Sequence, residues 1–171
     1  CGIAPRSLVA RQNDKGLPMS AYNDALLWAT SYCSRSEHCA ADVLSKIDKY
    51  ELNPSQTEQL LAYLKQEKYI DEKRYARAYA LDQFRFAQWG KLKIAQALRM
   101  KHIQDSDIQE ALQEIPQDEY LDVLKNLLLK KQKQMSAKTP YELTMKLLRF
   151  AYSRGFEPEH IRQCITISDD F

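Results

Sequence analysis

The side chains best suited to covalent or metal chemistry lie together near the start of the chain. Cys33, His38 and Cys39 place two thiols and one imidazole within seven residues. A thiolate beside a histidine is an activated nucleophile, and thiolates and imidazoles are ligands that zinc prefers. Three ligands are too few for a structural zinc site, and the remaining histidines, His102 and His160, lie far along the chain. We therefore predict buried, reduced cysteines, no metal site and no cysteine nucleophile.

The sequence contains no motif of a familiar enzyme class. It has four Gly, with neither a GxxxxGK[ST] phosphate-binding loop nor a Gly-rich dinucleotide turn. The HExxH and GxSxG motifs of hydrolases are also absent. We therefore predict a protein that is not an enzyme and that needs no cofactor.

Charged side chains are the other chemically active group, and they are segregated along the chain. The sequence has 25 Lys plus Arg and 23 Asp plus Glu, which gives a formal net charge of +2. Residues 73–103 hold eight bases and one acid, residues 104–122 hold seven acids and no base, and residues 125–154 hold eight bases and one acid. A single exposed lysine needs no function, because exposed ion pairs stabilise a protein only slightly. Two blocks of eight bases favour a polyanion or an acidic protein surface as the partner.

Aromatic residues accompany the first basic block. Trp89 and Phe86 lie beside Arg85 and Lys91 in the sequence, where their rings could stack on nucleic-acid bases. Helical spacing also places four residues on one stripe, which favours core packing for most of these aromatics. The four are Tyr75, Tyr79, Asp82 and Phe86.

Helices must position these side chains, because apolar residues recur at spacings of three and four throughout the chain. Capping boxes predict helix starts at three places: Ser34 to Glu37, Asn53 to Gln56 and Thr139 to Glu142. Gly90 is predicted to end one helix and cap the next, and Gly155 to end the helix that begins at Pro140. No stretch approaches the roughly 18 apolar residues of a membrane-spanning helix.

An internal repeat organises the helices. Shifts of 51 and then 53 residues align three segments, in which Val43, Ile94 and Leu147 correspond. Each segment is two helices joined by a turn, and each follows one further helix. We therefore predict an all-α fold of three tandem three-helix modules, at residues 20–68, 69–115 and 116–171, after an irregular leader at residues 1–19. Because one module buries little surface alone, we expect an elongated, curved array that suits macromolecular partners.

The first residues do not predict a secretory signal. They contain no initiator Met and no positively charged segment that leads into an apolar run. Cys1 would also fit the start of a mature lipoprotein, but the sequence lacks the segment that would establish one. We expect a cytoplasmic monomer.

The second module contains the most specific run of residues. Its first helix opens with Tyr69-Ile70-Asp71-Glu72-Lys73-Arg74-Tyr75-Ala76-Arg77-Ala78-Tyr79, and its second follows Trp89-Gly90 as Lys91-Leu92-Lys93-Ile94-Ala95-Gln96-Ala97-Leu98. This pattern resembles the central module of the RecX family of recombination regulators, which has a basic first helix, a Gly and a K-I-x-x-x-L helix that ends in K-G-I. The resemblance extends over residues 20–165, with Ser34-Arg35-Ser36-Glu37 in the first module and Arg154-Gly155-Phe156 in the third.

Two turns depart from the family pattern. His102 stands where the family has Gly, and Tyr50-Glu51-Leu52 also lacks that Gly. A left-handed turn costs a non-glycine residue some energy, so we expect the fold to survive both departures.

The resemblance implies a protein that binds the RecA recombinase in the groove of its filament on single-stranded DNA. It implies restraint of ATP hydrolysis, filament growth and strand exchange, and a place in recombination, DNA repair and the SOS response, with single-stranded or duplex DNA as a further partner. Asp71 is expected to cap the first helix of the second module. The residues predicted to contact the filament are Arg74, Arg77, Arg85, Lys91, Lys93, Arg99 and Lys101, with Lys130, Lys131 and Lys133 as a second group. The residues of the structural motif are Asp71, Tyr75, Trp89, Gly90, Ile94, Leu98 and Gly155.

Two other functions stay open at this level. Each module ends in two helices joined by a short turn, which also fits a helix-turn-helix protein that binds duplex DNA. Against it, the third helices around residues 105–114 and 157–163 are acidic or neutral, whereas a helix in a major groove should carry bases. A structural scaffold without DNA-related work would leave both basic blocks unexplained.

Overall fold

The described part of the chain is helical throughout. The computed structural model describes residues 19–167, so the leader predicted for residues 1–19 lies, apart from Met19, outside the described residues. Within that range the chain forms nine α-helices and one 3-10 helix, and no strand. They are α1 (Met19–Arg35), α2 (Ala40–Ile47), the 3-10 helix (Asp48–Tyr50), α3 (Pro54–Gln66), α4 (Glu72–Ala87), α5 (Lys91–Met100), α6 (Asp105–Gln113), α7 (Gln117–Gln134), α8 (Pro140–Ser153) and α9 (Pro158–Ile167). The all-α prediction of three successive sets of three helices is confirmed, and none of the described helices is long and apolar enough to cross a membrane.

The chain divides into two compact units, one ending at Tyr75 and the other beginning at Ala76. In the first unit, α1 packs on α2 and α3 around a core that includes Leu26, Val43 and Leu64. The module boundaries at residues 68 and 115 stay a prediction.

The core of the second unit centres on Tyr120 of α7. Its side chain is fully buried. The ring centroid lies 5.7 Å from that of Phe84 in α4 and 5.2 Å from that of Phe156, which precedes α9. One aromatic ring therefore joins helices from the second and third predicted modules.

Two sets of positions that the internal repeat aligns are buried in all three modules. Val43, Ile94 and Leu147 are at most 5% exposed. The next aligned set is buried as well, at Ile47, Leu98 and Ala151. The repeat therefore predicted the core-facing sides of α2, α5 and α8.

Two of the three predicted helix starts agree with the structure. The Gln56 N–H donates to Asn53 Oδ1 at 2.8 Å, and the Asn53 N–H donates to Gln56 Oε1 at 3.1 Å. At the start of α8, the Glu142 N–H donates to Thr139 Oγ1 at 3.1 Å. The Glu142 carboxylate accepts from the Lys138 N–H instead of closing the box at Thr139.

The capping box predicted at Ser34 to Glu37 is wrong. Helix α1 continues through Ser34, whose hydroxyl donates to the Thr30 carbonyl at 2.6 Å, so it does not cap a new helix. Helix α2 begins after Cys39, and the Cys39 N–H donates to Asp42 Oδ2 at 3.4 Å. Glu37 forms an ion pair with a distant arginine instead, as described below.

The backbone adopts a left-handed turn at both positions where this chain lacks the glycine of the family pattern. The φ angle is 52° at Glu51 and 61° at His102, while Gly155 has φ 94° at the corresponding place in the third module. The backbone therefore adopts the turn at a cost to the two non-glycine residues, and the fold survives as predicted.

Candidate binding surface for an acidic partner

Arg74 is anchored within the first unit. Its N–H donates to Asp71 Oδ1 at 3.0 Å, which is the geometry of an N-cap on α4. Its guanidinium donates to Glu37 Oε1 at 2.5 Å and to the Lys68 carbonyl at 3.0 Å. Arg74 therefore ties the start of α4 to the segment between α1 and α2.

Three further predicted arginines pair with carboxylates of the second unit. The pairs are Arg77 with Glu114, Arg85 with Glu119 at 3.3 Å, and Arg99 with Asp105 at 2.9 Å. All six side chains are at least 40% exposed. Exposed ion pairs stabilise a protein by about 0–1 kcal/mol, so a partner's carboxylate can replace the internal one at little cost.

Three of the predicted lysines lie over aromatic rings. The distances from Nζ to the ring centroid are 4.8 Å for Lys91 over Tyr120, 4.6 Å for Lys93 over Trp89, and 5.0 Å for Lys131 over Phe150. The negative face of an aromatic ring attracts each ammonium group. These lysines are therefore held along the protein surface, in contrast to the arginines, which face carboxylates.

The other predicted lysines differ in exposure. Lys101 directly follows α5 and is half-buried. Lys130 and Lys133 of α7 are exposed and form no ion pair with any residue from 19 to 167. The structure thus places the other nine predicted contact residues in three environments: four arginines are paired with acids, three lysines lie over rings, and two lysines are exposed.

The residues of the structural motif lie at helix starts and in the core. Tyr75, Ile94 and Leu98 are buried, and Trp89 is half-buried. Gly90 is the N-cap residue of α5.

Phe86 is an exception to the core packing that the spacing predicted for most of the aromatics near the first basic block. Its side chain is 85% exposed. The buried stripe of α4 runs through Ala76, Ala80 and Phe84, at a spacing of four residues. Phe86 lies two residues beyond Phe84, which places it on the other side of the helix.

Sequence reasoning missed a backbone contact between the start of α5 and the end of α8. The Gly90 N–H donates to the Arg154 carbonyl at 2.8 Å, and the Leu92 N–H donates to the Gly155 carbonyl at 2.9 Å. A Cβ atom on Gly90 would lie 2.2 Å from the Gly155 carbonyl carbon. This close approach requires glycine at position 90. The only sign of the contact in the sequence was a glycine at each of the two turns, Gly90 and Gly155.

A hydrogen-bond network around Tyr120 was also missed. Its hydroxyl accepts from the Lys91 N–H at 3.0 Å and donates to Glu157 Oε1 at 2.8 Å. The second oxygen of Glu157 lies 2.5 Å from His160 Nδ1. Burial raises the pKa of Tyr120 above its ordinary value, so the hydroxyl stays protonated and continues to donate.

The cysteines near the start of the chain are not activated. Cys33 and Cys39 are buried free thiols, and burial raises the pKa of Cys33 to about 11. A thiol with that pKa is protonated at neutral pH and is a poor nucleophile. The His38 ring stacks on Tyr32 with centroids 3.6 Å apart, and burial lowers its pKa. Among the described residues, no group of three ligating side chains is arranged to hold a metal ion.

A cavity of about 540 Å³ lies between α7 and α8. Its lining mixes apolar side chains, such as Leu128 and Leu147, with polar ones, such as Gln132 and Thr144, and Lys138 is the single titratable residue among those that line it. Acid–base catalysis needs a positioned proton donor and a positioned acceptor, and one lysine does not supply both.

Two segments of the chain match domains of a known family. Residues 71–112 match "RecX, second three-helix domain", and residues 117–165 match "RecX, third three-helix domain". Together they cover more than half of the chain and contain every basic residue predicted to contact a partner.

Individual relatives agree with these matches. A regulatory protein RecX of Bacillus mycoides is 26% identical over 141 residues, which are 82% of this chain and 52% of the relative. The chain therefore spans about half the length of that relative. The regulatory protein RecX of Vibrio vulnificus is 28% identical over 149 residues, 87% of this chain and 94% of the relative. The crystal structure of RecX from Lactobacillus salivarius is similar to this structure, with a TM-score of 0.80 and 18% sequence identity. The superposition covers 89% of this chain and 99% of that one, so the two share a fold.

Proposed function

Because this chain belongs to the RecX family, we propose that it is a regulatory protein that binds the RecA recombinase and its filament on single-stranded DNA. Binding inhibits ATP hydrolysis, filament growth and strand exchange, and thereby modulates recombination and DNA repair. The chain acts in the cytoplasm by binding, and it catalyses no reaction itself. The observation that carries the proposal is the match of two successive segments to RecX domains, which together contain the basic residues predicted to contact a partner.

Exchangeable ion pairs support an acidic protein as the partner. Arg77 and Arg99 are more than half exposed, and each is already oriented toward a carboxylate oxygen. A guanidinium in this geometry can form the same pair with a carboxylate of RecA. The internal acids restrict the motion of both arginines in the free protein, which lowers the entropy lost on binding.

Duplex DNA is a poorer fit for the third helices. Helix α6 has Asp105 and Asp107 in its first turn and no base in its last turn. A recognition helix contacts base edges from its N-terminal residues, and two carboxylates there repel the DNA backbone.

Inhibition of RecA is tested directly by an ATPase assay. RecA from the same organism hydrolyses ATP on single-stranded DNA while the full chain is added below the RecA concentration. We expect the hydrolysis rate to fall, and the chain to sediment with the filaments. Unchanged hydrolysis together with an absence of co-sedimentation would contradict the proposal.

A charge-reversal pair locates the contact. Lys130→Glu with Lys133→Glu is expected to weaken filament binding about tenfold, because exposed cations steer and hold an acidic partner. Lys65→Glu with Lys68→Glu makes the same charge change on α3 and just after it, outside the predicted contact residues, and serves as the control. Circular dichroism checks that helicity is unchanged in both variants.

A further inference from the structure

Two aromatic rings of the second unit are covered by cations. The Lys93 Nζ atom lies 4.6 Å from the centroid of the Trp89 ring. The Phe150 ring has Lys131 Nζ at 5.0 Å and the Arg154 guanidinium carbon at 5.6 Å. All five side chains are half-buried, and within residues 19–167 no other aromatic ring stacks on Trp89 or Phe150.

The start of α5 and the end of α8 meet, which brings the Trp89–Lys93 pair close to Arg154. Arg154 Nη1 donates to the Ala87 carbonyl at 3.1 Å, two residues before Trp89. A Cβ atom on Gly155, the next residue after Arg154, would lie 2.3 Å from the Lys93 Cβ. We call Trp89, Lys93, Lys131, Phe150 and Arg154 the cation–aromatic cluster.

Exposed cations extend the positive charge around this cluster. Lys130 and Lys133 lie on α7 near Lys131, and Arg149 lies on α8 beside Phe150. All three are exposed, and none forms an ion pair with a residue of the described chain. Arg77, by contrast, is neutralised by Glu114. The cluster therefore has more uncompensated positive charge than the surface around Arg77.

We propose that the cation–aromatic cluster binds single-stranded nucleic acid. Phosphates draw Lys93 and Lys131 off the ring faces while Arg154 stays bonded to the Ala87 carbonyl, and unpaired bases then stack on Trp89 and Phe150. A ring held beside cations is the combination that single-strand binding requires, since the ring supplies stacking and the cations supply charge neutralisation. The proposal rests on the proposed function, in which the partner filament contains single-stranded DNA.

The aromatic residues of the first unit offer less open ring surface. Trp28 and Tyr32 stack with centroids 4.7 Å apart, and Tyr32 stacks on His38 at 3.6 Å. Lys49 covers Trp28 at 5.4 Å. These rings already stack on one another, so displacement of a lysine frees less surface for a base.

Fluorescence of a single tryptophan tests the proposal. The chain has two Trp, and Trp28→Phe leaves Trp89 as the only one while it keeps an aromatic ring at position 28. The full chain with this substitution is titrated with a thymidylate oligonucleotide at low salt. We expect the base to quench Trp89 fluorescence on stacking, and a duplex of the same length to bind more weakly without quenching.

Two lysines that each cover a tryptophan provide a matched comparison, made by fluorescence anisotropy of a labelled thymidylate oligonucleotide in the wild-type background. Lys93→Ala is expected to weaken binding about fivefold, and Lys49→Ala less than about twofold, although both remove one charge and uncover a tryptophan ring. Phe150→Leu keeps an apolar side chain without an aromatic face and is expected to weaken binding about tenfold. Circular dichroism confirms that each variant keeps its helicity.

Several outcomes would overturn the proposal. Equal weakening by Lys93→Ala and Lys49→Ala would show unspecific attraction, and saturable binding without quenching would place the DNA away from Trp89. Tighter binding of the duplex would favour groove recognition instead. The titration contains no RecA, so its failure leaves the inhibition of RecA untouched, and unchanged ATP hydrolysis would leave the titration result standing.

Discussion

Gly90 and Gly155 lie in direct backbone contact, with the Gly90 N–H donating to the carbonyl of Arg154 and the Gly155 carbonyl accepting from the Leu92 N–H. The two free N–H groups at the start of α5 thus find acceptors at the end of α8. A helix start that would otherwise need water or a side-chain cap is satisfied by another helix.

Replacing Gly90 with Ala is expected to lower the free energy of unfolding by about 3 kcal/mol. The new methyl group would overlap the backbone at Gly155, and relieving the overlap separates two hydrogen bonds. Urea denaturation followed by circular dichroism measures the loss. Gln104→Ala is the control, because Gln104 is also an N-cap residue with extended backbone and no side-chain cap bond. Equal losses in the two variants would contradict the close contact.

Tyr120→Phe is expected to lower the free energy of unfolding by about 2 kcal/mol. It removes the hydroxyl between the Lys91 N–H and Glu157, and so leaves a donor and a carboxylate oxygen without that partner. Thermal and urea unfolding measure the effect. Tyr141→Phe removes the same atom from an exposed ring and should change stability by less than about 0.5 kcal/mol. A loss at Tyr120 no larger than that would show that water satisfies both groups.

Glu114→Gln is expected to raise the affinity for RecA filaments about threefold. It releases Arg77 from its internal pair, and an exposed pair of this kind is worth about 0–1 kcal/mol. Arg77→Gln should weaken binding, because a carboxylate of the partner then has no guanidinium with which to pair. Co-sedimentation with filaments measures both, and Glu58→Gln on α3 controls for the change in net charge. If Glu58→Gln raises affinity equally, net charge and not Arg77 is responsible.

The contribution of Cys33 to stability should decline in alkali. Burial raises its pKa from 9.0 to about 11, so the folded protein holds the thiol proton to higher pH than the unfolded chain does. The stabilisation is fully present below pH 9 and is lost as pH rises through 9 toward 11. Unfolding of the wild type and of Cys33→Ala across this range measures it as a shrinking difference between the two proteins. A constant difference would mean that the thiol is not desolvated.

His102→Gly is expected to raise the free energy of unfolding by about 0.5 kcal/mol. His102 is exposed with φ 61°, so glycine relieves backbone strain without losing packing, although its greater freedom in the unfolded chain offsets part of the gain. His102→Ala should instead destabilise, because alanine tolerates this conformation less well. Thermal denaturation of both variants shows whether each substitution raises or lowers the melting temperature. Identical melting temperatures would show that the turn conformation costs nothing.

Local rules predicted much of the fold. The reciprocal cap at Asn53 and Gln56 depends on residues three apart, and the buried stripe at Val43, Ile94 and Leu147 depends on helical spacing. Both signals lie within one helix, so the sequence contains them. The prediction of a helix cap at Ser34 was wrong because a serine in the last turn of a helix can donate to the preceding turn as readily as it can cap a new helix.

Contacts across many residues could not be predicted in this way. The basic and acidic blocks occupy separate stretches of the sequence, yet Arg85 pairs with Glu119 and Arg77 with Glu114. Which helices face each other decides these pairs, and the spacing of residues along one helix does not give that information. The cation–ring contacts of Lys131 and Arg154 with Phe150 could not be predicted for the same reason.

The ion pairs of Arg77, Arg85 and Arg99 also shape how a partner approaches. A guanidinium beside a carboxylate is a dipole, and its field falls with distance more steeply than that of a lone charge. These arginines therefore contribute little to long-range attraction, while Lys130 and Lys133 act out to the Debye length of about 8 Å at physiological salt. Encounter with a partner should slow as salt rises because of the lysines, whereas the lifetime of the bound complex depends on the arginines and changes less.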